Sequence, residues 1–466
     1  MIILEHPMDI SMSVLGINTF KVGKKYVFSP YNVILEEEDD GGYLIYNSVT
    51  MSVVFLTYDE YDTIEKNGFS GQDILYTGRF LIPENMNETA NVEKLKKAVR
   101  TTHKRDIQHP TLYTILPTTS CNARCFYCYE IGKPQKVMSE EIAHKTADYI
   151  IKRCFKGQKI RLYWFGGEPT VNIRAIDIIC TRLSEAGVDF YSEMVSNGYL
   201  LTDENVKKGI ELWRLTHVQI TVDGTKDVYN KSKNYIYKND PNPYERIMNN
   251  ISTLAGYGVG IDIRLNVGKH NYADLSNLVD ELIQRFGYAS NVNIYTMHIF
   301  ECNMVEKRTD DEKKELFECI DKINIKLEEN GKGGNLLDRS YRAVMCGADD
   351  GRSLLIAPDG NIGLCEHHVD DEFIGHLDDI KIDYSMLKKW DEKMPTLDIC
   401  HGCALFSTCV KLKNCPEEGQ CSVFERDMKI KKFKRRLQRY YEQAKFSQYY
   451  ISQVVGKNNQ NNFISY

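Results

Sequence analysis

No run of apolar residues in this chain approaches the roughly 18 needed to span a membrane. The opening MIILEHPMDISMSV has neither the basic segment nor the long apolar segment of a secretion signal. A basic excess is missing as well: 59 Lys and Arg stand against 65 Asp and Glu, a formal net charge of −6. That removes the global positive field of a nucleic-acid binder. With 42% apolar and 27% charged residues, wholesale disorder is excluded too. These absences lead us to expect a cytoplasmic globular protein with neither a membrane nor a nucleic acid as partner. Its 466 residues allow about three domains at roughly 150 residues each.

Cysteine, by contrast, is plentiful. Of 14 cysteines, three fall within residues 121–128 and seven between Cys346 and Cys421. In a reducing compartment, clusters at such short spacings point to thiolate metal ligation rather than disulfides. Catalysis on a thiolate-bound inorganic cofactor is therefore the first hypothesis.

The first hundred residues have their own pattern. Apolar runs at 31–35 and 43–46 flank the acidic turn EEEDDGG and read as a hairpin, with a third strand at 52–56. Short helices are expected at 58–66 and 88–100, then a polar linker, TTHKRDIQHP, at 101–110. From residue 111 strand-like and helix-period segments alternate. Strands are expected at 111–116, 160–165, 190–195, 217–222, 261–267 and 292–300, with amphipathic helices between them. Repeated β-then-α units make a parallel sheet, either doubly wound or curled into part of a barrel, with ligands at the C-terminal strand ends. A helix at 310–329 leads to the cysteine-rich stretch. The chain closes on the basic helical run KIKKFKRRLQRYYEQ and a polar tail. The seven cations of residues 429–439 read as a solvated helix face, with an acidic peptide as the lesser alternative.

Cys121-Asn-Ala-Arg-Cys125-Phe-Tyr-Cys128 follows the first strand of the alternating region, on the side where ligands sit. Three thiolates on one short loop suit a 4Fe–4S cluster with one iron left open, or zinc with one distant ligand. The second strand ends in Phe165-Gly166-Gly167-Glu168-Pro169. There two glycines permit close backbone approach, and a carboxylate is offered to an ammonium group. The cysteine spacing, with Tyr127 before its last member and Gly-Gly-Glu one β-α unit later, resembles the signature of the radical S-adenosylmethionine (AdoMet) superfamily. The resemblance implies that Cys121, Cys125 and Cys128 hold the radical-generating cluster. It also implies that Tyr127, Gly166, Gly167, Glu168, Ser196, Asn197, Arg264 and Asn266 line the AdoMet site. Glu168 would meet the methionine amine.

Farther on, Cys346 is followed by Gly360, Cys365 and the run Cys400-x2-Cys403-x5-Cys409-x5-Cys415-x5-Cys421. This resembles the SPASM extension, which carries two auxiliary 4Fe–4S clusters. Carried over, Cys346, Cys365 and Cys415 would hold the first, and Cys400, Cys403, Cys409 and Cys421 the second. Two features depart from the family pattern. Five residues rather than three separate Cys409 from Cys415, and Tyr229-Asn230-Lys231 replaces a common His-Asp before Arg. Cys154, Cys180 and Cys319 read as core residues, whereas packing and function are balanced for Cys302.

The resemblance implies an α/β fold: a partial (β/α)6 TIM-like barrel over 109–309, a bridging helix over 310–345, a SPASM domain over 346–426 and a basic helix and tail over 427–466. Residues 1–108 resemble winged-helix modules that recognise leader peptides. The implied activity is that of a radical AdoMet oxidoreductase acting on a ribosomally made precursor peptide, with three 4Fe–4S clusters and AdoMet as cofactors. An electron donor such as flavodoxin or ferredoxin is implied as a partner. A Cys thioether is the expected product. The alternatives are a C–C or C–O crosslink, formylglycine formation, or a zinc-stabilised peptide-binding module without catalysis.

Overall fold

The computed structural model describes residues 1–16, 24–67, 73–103, 105–299, 308–333, 337, 339–379, 381–416 and 421–458. Cys302 and the end of the polar tail lie outside them. The amino-terminal region forms β1 (Ile2–Glu5), α1 (Asp9–Leu15), β2 (Tyr26–Phe28), β3 (Asn32–Glu37), β4 (Gly42–Asn47), β5 (Ser52–Thr57), α2 (Tyr58–Asn67), α3 (Asp73–Thr77), β6 (Leu81–Pro83) and α4 (Glu88–Thr102). The expected hairpin is β3–β4, turned by Glu38–Asp40 and by Gly41 in the left-handed region. The expected three strands become four, in the order β1-β5-β4-β3, because Ile2–Glu5 adds antiparallel to β5. Four residues offer too short an alternation to read from sequence.

The centre of the molecule is β7 (Leu112–Thr118), β8 (Lys159–Gly166), β9 (Asp189–Ser196), β10 (Leu215–Thr221), β11 (Gly260–Val267) and β12 (Val292–His298). All six are parallel and adjacent in chain order, the partial barrel of a (β/α)6 array. The helices α5 (Glu140–Arg153), α6 (Ile173–Glu185), α7 (Asp203–Glu211), α8 (Lys226–Lys233), α9 (Pro243–Gly256) and α10 (Leu275–Phe286) fill the connections. Ser139 caps α5 by accepting from the Ile142 N–H. Side chains alternate along each strand: Ile160, Leu162 and Trp164 are buried, whereas Arg161, Tyr163 and Phe165 are half-buried. The half-buried set is polar across neighbouring strands. Arg161 pairs with Glu193, His217 with Asp262, and the Tyr295 hydroxyl donates to Gln219. One face of the sheet is thus sealed by helices, while the other keeps hydrogen-bonding groups available to a ligand.

After α11 (Asp310–Glu329) and the single turn α12 (Gly347–Asp350), β13 (Ser353–Ile356) joins β7 in parallel. The antiparallel β14 (Asn361–Gly363) and β15 (Gly375–His376) extend the same sheet to nine strands. The cysteine-rich region therefore continues the barrel sheet, and α13 (Tyr384–Asp391) packs beside it. The last helix, α14 (Val423–Asn458), is longer than its basic run.

Two expectations change here. The basic face of α14 is solvated only in part: Lys429 and Lys431 are exposed, whereas the arginines beyond them turn to buried acids. Arg435 lies 2.6 Å and Lys431 3.2 Å from Asp321, and Arg435, Arg436 and Arg439 surround Glu328 on α11. Both acids are nearly fully buried, so the cations neutralise charge that would be costly alone. Residues 101–110 are not a free linker either: His103 meets Asp350 at 2.8 Å and Arg105 pairs with Asp391. Cys180 is buried core, and Cys154, the C-cap of α5, and Cys319 are partly buried and pack against that core, as expected.

Candidate functional site

The loop after β7 carries Cys121, Cys125 and Cys128 and is held from both sides by backbone bonds. Gly167 N–H donates to Thr118 O at 3.2 Å and Glu168 N–H to Ser120 O at 3.0 Å. From the other side Arg124 N–H donates to Lys233 O at 2.8 Å, and Ile236 N–H to Asn122 O at 2.9 Å. The two glycines make the first contact possible. A Cβ at Gly166, where φ is +118°, would meet Thr118 O at 2.2 Å, and one at Gly167 would meet Thr119 O and Ser120 O at 2.5 Å.

Glu168 is fully buried. Its Oε1 accepts from Ser196 Oγ at 2.8 Å and from Thr170, and its Oε2 accepts from Asn197 N–H at 2.7 Å. The carboxylate thereby ties the ends of β8 and β9 together, a role not visible in the sequence. Burial pushes its pKa upward, against the pull of these donors. Asn197 Nδ2 reaches Asn122 Oδ1 at 2.6 Å and Cys121 Sγ at 3.8 Å. On β11, Arg264 Nε donates to Asn266 Oδ1 at 2.8 Å, and Asn266 N–H donates to Asp223 at 3.3 Å. The structure thus gathers the three thiols, Tyr127, Glu168, Ser196, Asn197, Arg264 and Asn266 at the C-terminal ends of β7–β11.

Sequence reasoning missed Asp223 and Lys233. Lys233 Nζ lies 2.9 Å from Asp223 and 3.0 Å from Tyr127 Oη, and both charged side chains are almost wholly buried. Lys233 also acts electrostatically on Cys125. Nothing in the polar string Lys231-Ser232-Lys233-Asn234 sets this lysine apart, because only the fold turns it inward. Removing one member of a buried pair leaves the other uncompensated. Lys233→Met should therefore cost about 3–5 kcal/mol, read as a lower urea midpoint with unchanged slope.

Burial raises all three loop thiols, Cys121 to about 12 and Cys128 to about 11. Such thiols stay protonated until a metal displaces the proton. Among the described residues no group of three or more His, Cys, Asp or Glu side chains is arranged to hold a single metal ion. Three desolvated thiols on one rigid loop are a donor set that fits iron–sulfur ligation.

The later cysteines fall into two groups. Cys365 feels Cys346 and Cys415, and burial pushes its pKa well above the usual thiol range. Glu366, which sequence reasoning also missed, acts on both Cys346 and Cys365. Nearby, Asp350 is engaged by His103, Arg352 and Ser353, while the His367 ring lies over Tyr129 at 4.4 Å. Cys400, Cys403, Cys409 and Cys421 all line one cavity of about 730 Å³.

A parallel sheet whose C-terminal edge gathers three desolvated thiols beside a buried carboxylate defines an enzyme that works on a thiolate-held cofactor. Residues 115–282 match the Radical SAM superfamily, so that part of the chain is a domain of that superfamily and the chain is an enzyme. Such a domain implies a 4Fe–4S cluster and AdoMet. Among solved structures, His6-tagged anSMEcpe with bound AdoMet superposes with a TM-score of 0.55 at 16% identity, covering 72% of this chain and 98% of that one. Native anSMEcpe with bound AdoMet and Cp18Cys peptide gives 0.55 at 16%, covering 72% and 99%. Streptococcus suis SuiB bound to precursor peptide SuiA gives 0.47 at 14%, covering 85% and 99%. The anSMEcpe matches show a shared fold. No curated protein matches the chain. Among the described residues no helix is long and apolar enough to cross a membrane.

Proposed function

We propose that this enzyme is a SPASM-type maturase that installs a Cys thioether in a ribosomally made precursor peptide. In this reading Cys121, Cys125 and Cys128 hold the radical cluster, Cys346, Cys365 and Cys415 the first auxiliary cluster, and Cys400, Cys403, Cys409 and Cys421 the second. Bound there, the radical cluster would supply the electron for reductive cleavage of AdoMet, and with it the means to take a hydrogen atom from the peptide. The chain's own task is to hold and orient. Glu168, Ser196, Asn197, Arg264 and Asn266 surround AdoMet at the strand ends, beside the cysteine loop. The polar half-buried face of the sheet receives the peptide and positions the target carbon. An electron donor such as flavodoxin or ferredoxin and a cytoplasmic location complete the reading. The listening end for the leader is the amino-terminal sheet, whose β1 and β3 each pair with a single strand among the described residues.

The thioether reading rests on one observation: among the described residues the group of Cys346, Cys365 and Cys415 brings three thiols where a 4Fe–4S cube takes four ligands. A substrate cysteine in the fourth position would be held as thiolate beside the new carbon radical. Titrating the Cys121/Cys125/Cys128→Ala chain with precursor peptide, and with its Cys→Ser form, tests this by absorption and electron paramagnetic resonance. A spectral shift with the cysteine peptide alone is expected. No shift with either peptide, together with a product crosslink that lacks sulfur, overturns the thioether in favour of a C–C or C–O bond.

Glu168 offers a second test. AdoMet's ammonium needs the carboxylate, and burial has raised its pKa. Affinity should therefore be full at high pH and fall as pH drops through that raised value. Glu168→Gln should weaken AdoMet binding by about 2 kcal/mol, roughly thirtyfold, and flatten the pH dependence. Calorimetric titration across pH reads both, and an unchanged affinity removes Glu168 from the AdoMet site.

A further inference from the structure

The amino-terminal domain does more than sit on the barrel: it walls the cavity of the four later cysteines. Tyr31, Val49, Val92, Leu95 and Val99 form one buried cluster with Phe406, and Cys400 and Cys403 pack against it. The Tyr31 ring lies over Phe406 at 6.5 Å, and Ser407 Oγ donates to Ser48 O at 2.5 Å. His401 Nδ1 meets Thr89 Oγ1 at 3.0 Å.

Lys96 of α4 enters the cavity from this wall. Its ammonium lies 4.0 Å from the centre of the Phe406 ring, a residue that falls between Cys403 and Cys409 in the sequence. Burial pushes the Lys96 pKa down, while Cys409, Cys400, Glu93 and Cys403 pull it back up. Lys411 and Lys429 act on Cys421, opposed by Glu425. The charged side chains that line the cavity are nonetheless mostly cationic, and Lys96 is one that the amino-terminal domain contributes.

We propose that Lys96 sets the reduction potential of the second auxiliary cluster, so that the amino-terminal domain belongs to the electron path as well as to peptide recognition. The inference rests on reading Cys400, Cys403, Cys409 and Cys421 as ligands of one 4Fe–4S cluster. Adding an electron makes such a cluster more negative. A positive charge held in a partly desolvated cavity stabilises the reduced form more than the oxidised form and raises the potential. An auxiliary cluster held high in this way is suited to take the electron left after an oxidative crosslink. The residue is invisible as a site in sequence, because α4 is an ordinary amphipathic helix whose lysines look alike.

The test is a redox titration, followed by electron paramagnetic resonance, of the full chain carrying Cys121, Cys125 and Cys128→Ala, which leaves the auxiliary clusters. Lys96→Met is compared with Lys96→Arg and with Lys94→Met, which removes the same charge from an exposed position on the same helix. We expect Lys96→Met to lower one of two auxiliary potentials enough to change the oxidised-to-reduced ratio about tenfold at fixed potential, about 59 mV for a one-electron couple. Lys96→Arg and Lys94→Met should leave both potentials in place. Unchanged potentials in Lys96→Met, with full iron content, overturn the proposal. If Lys96→Met loses iron, Lys96→Gln is titrated against the same criterion. The underlying assignment fails separately: a Cys403→Ala chain with undiminished iron would show that no cluster sits in this cavity.

Discussion

A chain in which Cys121, Cys125 and Cys128 are all replaced by alanine is expected to form no 5′-deoxyadenosine when AdoMet and dithionite are supplied. The three thiols share one loop, held chiefly through the backbone, although the Asn197 amide and the Ala123 N–H also donate to Cys121 Sγ. Thr118, Ser120, Arg124 and Asn122 keep their partners when the side chains shrink to methyl groups. The loop and the sheet beneath it should therefore survive, and with them the two groups of later cysteines, which lie just before α12, just after β14 and in the segment after α13. The expected chain is folded, retains iron at its auxiliary sites and has lost reductive cleavage to the level of the protein-free mixture. Product chromatography, with iron analysis of the same sample, reads both halves. Continued 5′-deoxyadenosine formation would mean that another group of thiols carries the radical chemistry.

What the sequence made legible follows from the range of the interactions involved. Alternating strands and amphipathic helices are local patterns, and β7–β12 lie within one or two residues of where periodicity puts them. The cysteine spacings are local too, and they lead straight to the loop after β7. Long-range pairing was not legible. Ile2–Glu5 becomes a strand only because β5 offers it an edge, and Ser353–Ile356 joins the barrel sheet across more than two hundred residues of chain. Charge was misread in part for the same reason. Residues 429–439 look like a solvated basic face until α11 presents Asp321 and Glu328 to them. Lys233 and Lys96 are the sharpest cases. Each sits in an ordinary polar string, and each becomes a buried or half-buried charge beside thiols only when distant elements close over it.

Deletion of residues 1–108 has the other large expected effect, and it is not the loss of leader affinity alone. Read as an appendage, this region should be removable with AdoMet cleavage intact. In the structure it packs against the rest of the chain through two apolar contacts. Phe406 loses Tyr31, Val92 and Leu95, while Leu437, Tyr441 and Phe433 of α14 lose the sheet face made by Val33, Leu44, Tyr46 and Phe55. The Phe55 and Tyr441 rings stack at 5.5 Å, and Tyr46 meets Phe433 at 4.8 Å. Exposing Phe406, Phe433, Leu437 and Tyr441 costs on the order of 10 kcal/mol at about 1.5–3 kcal/mol for each large side chain. That rivals the whole stability of a typical domain. The truncated chain should therefore aggregate and lose the iron of the cavity lined by Cys400, Cys403, Cys409 and Cys421, whose wall is gone. Size-exclusion chromatography with iron analysis would show it. A soluble truncated chain with undiminished iron would instead show that the region is separable from the rest. Leader recognition then has to be tested in the intact protein, by hydrogen exchange with and without precursor peptide. Protection is expected to rise at β1 or β3, because an added strand satisfies the outward amides of the edge it joins. Unchanged exchange at both edges would leave this domain as a wall of the electron path and nothing more.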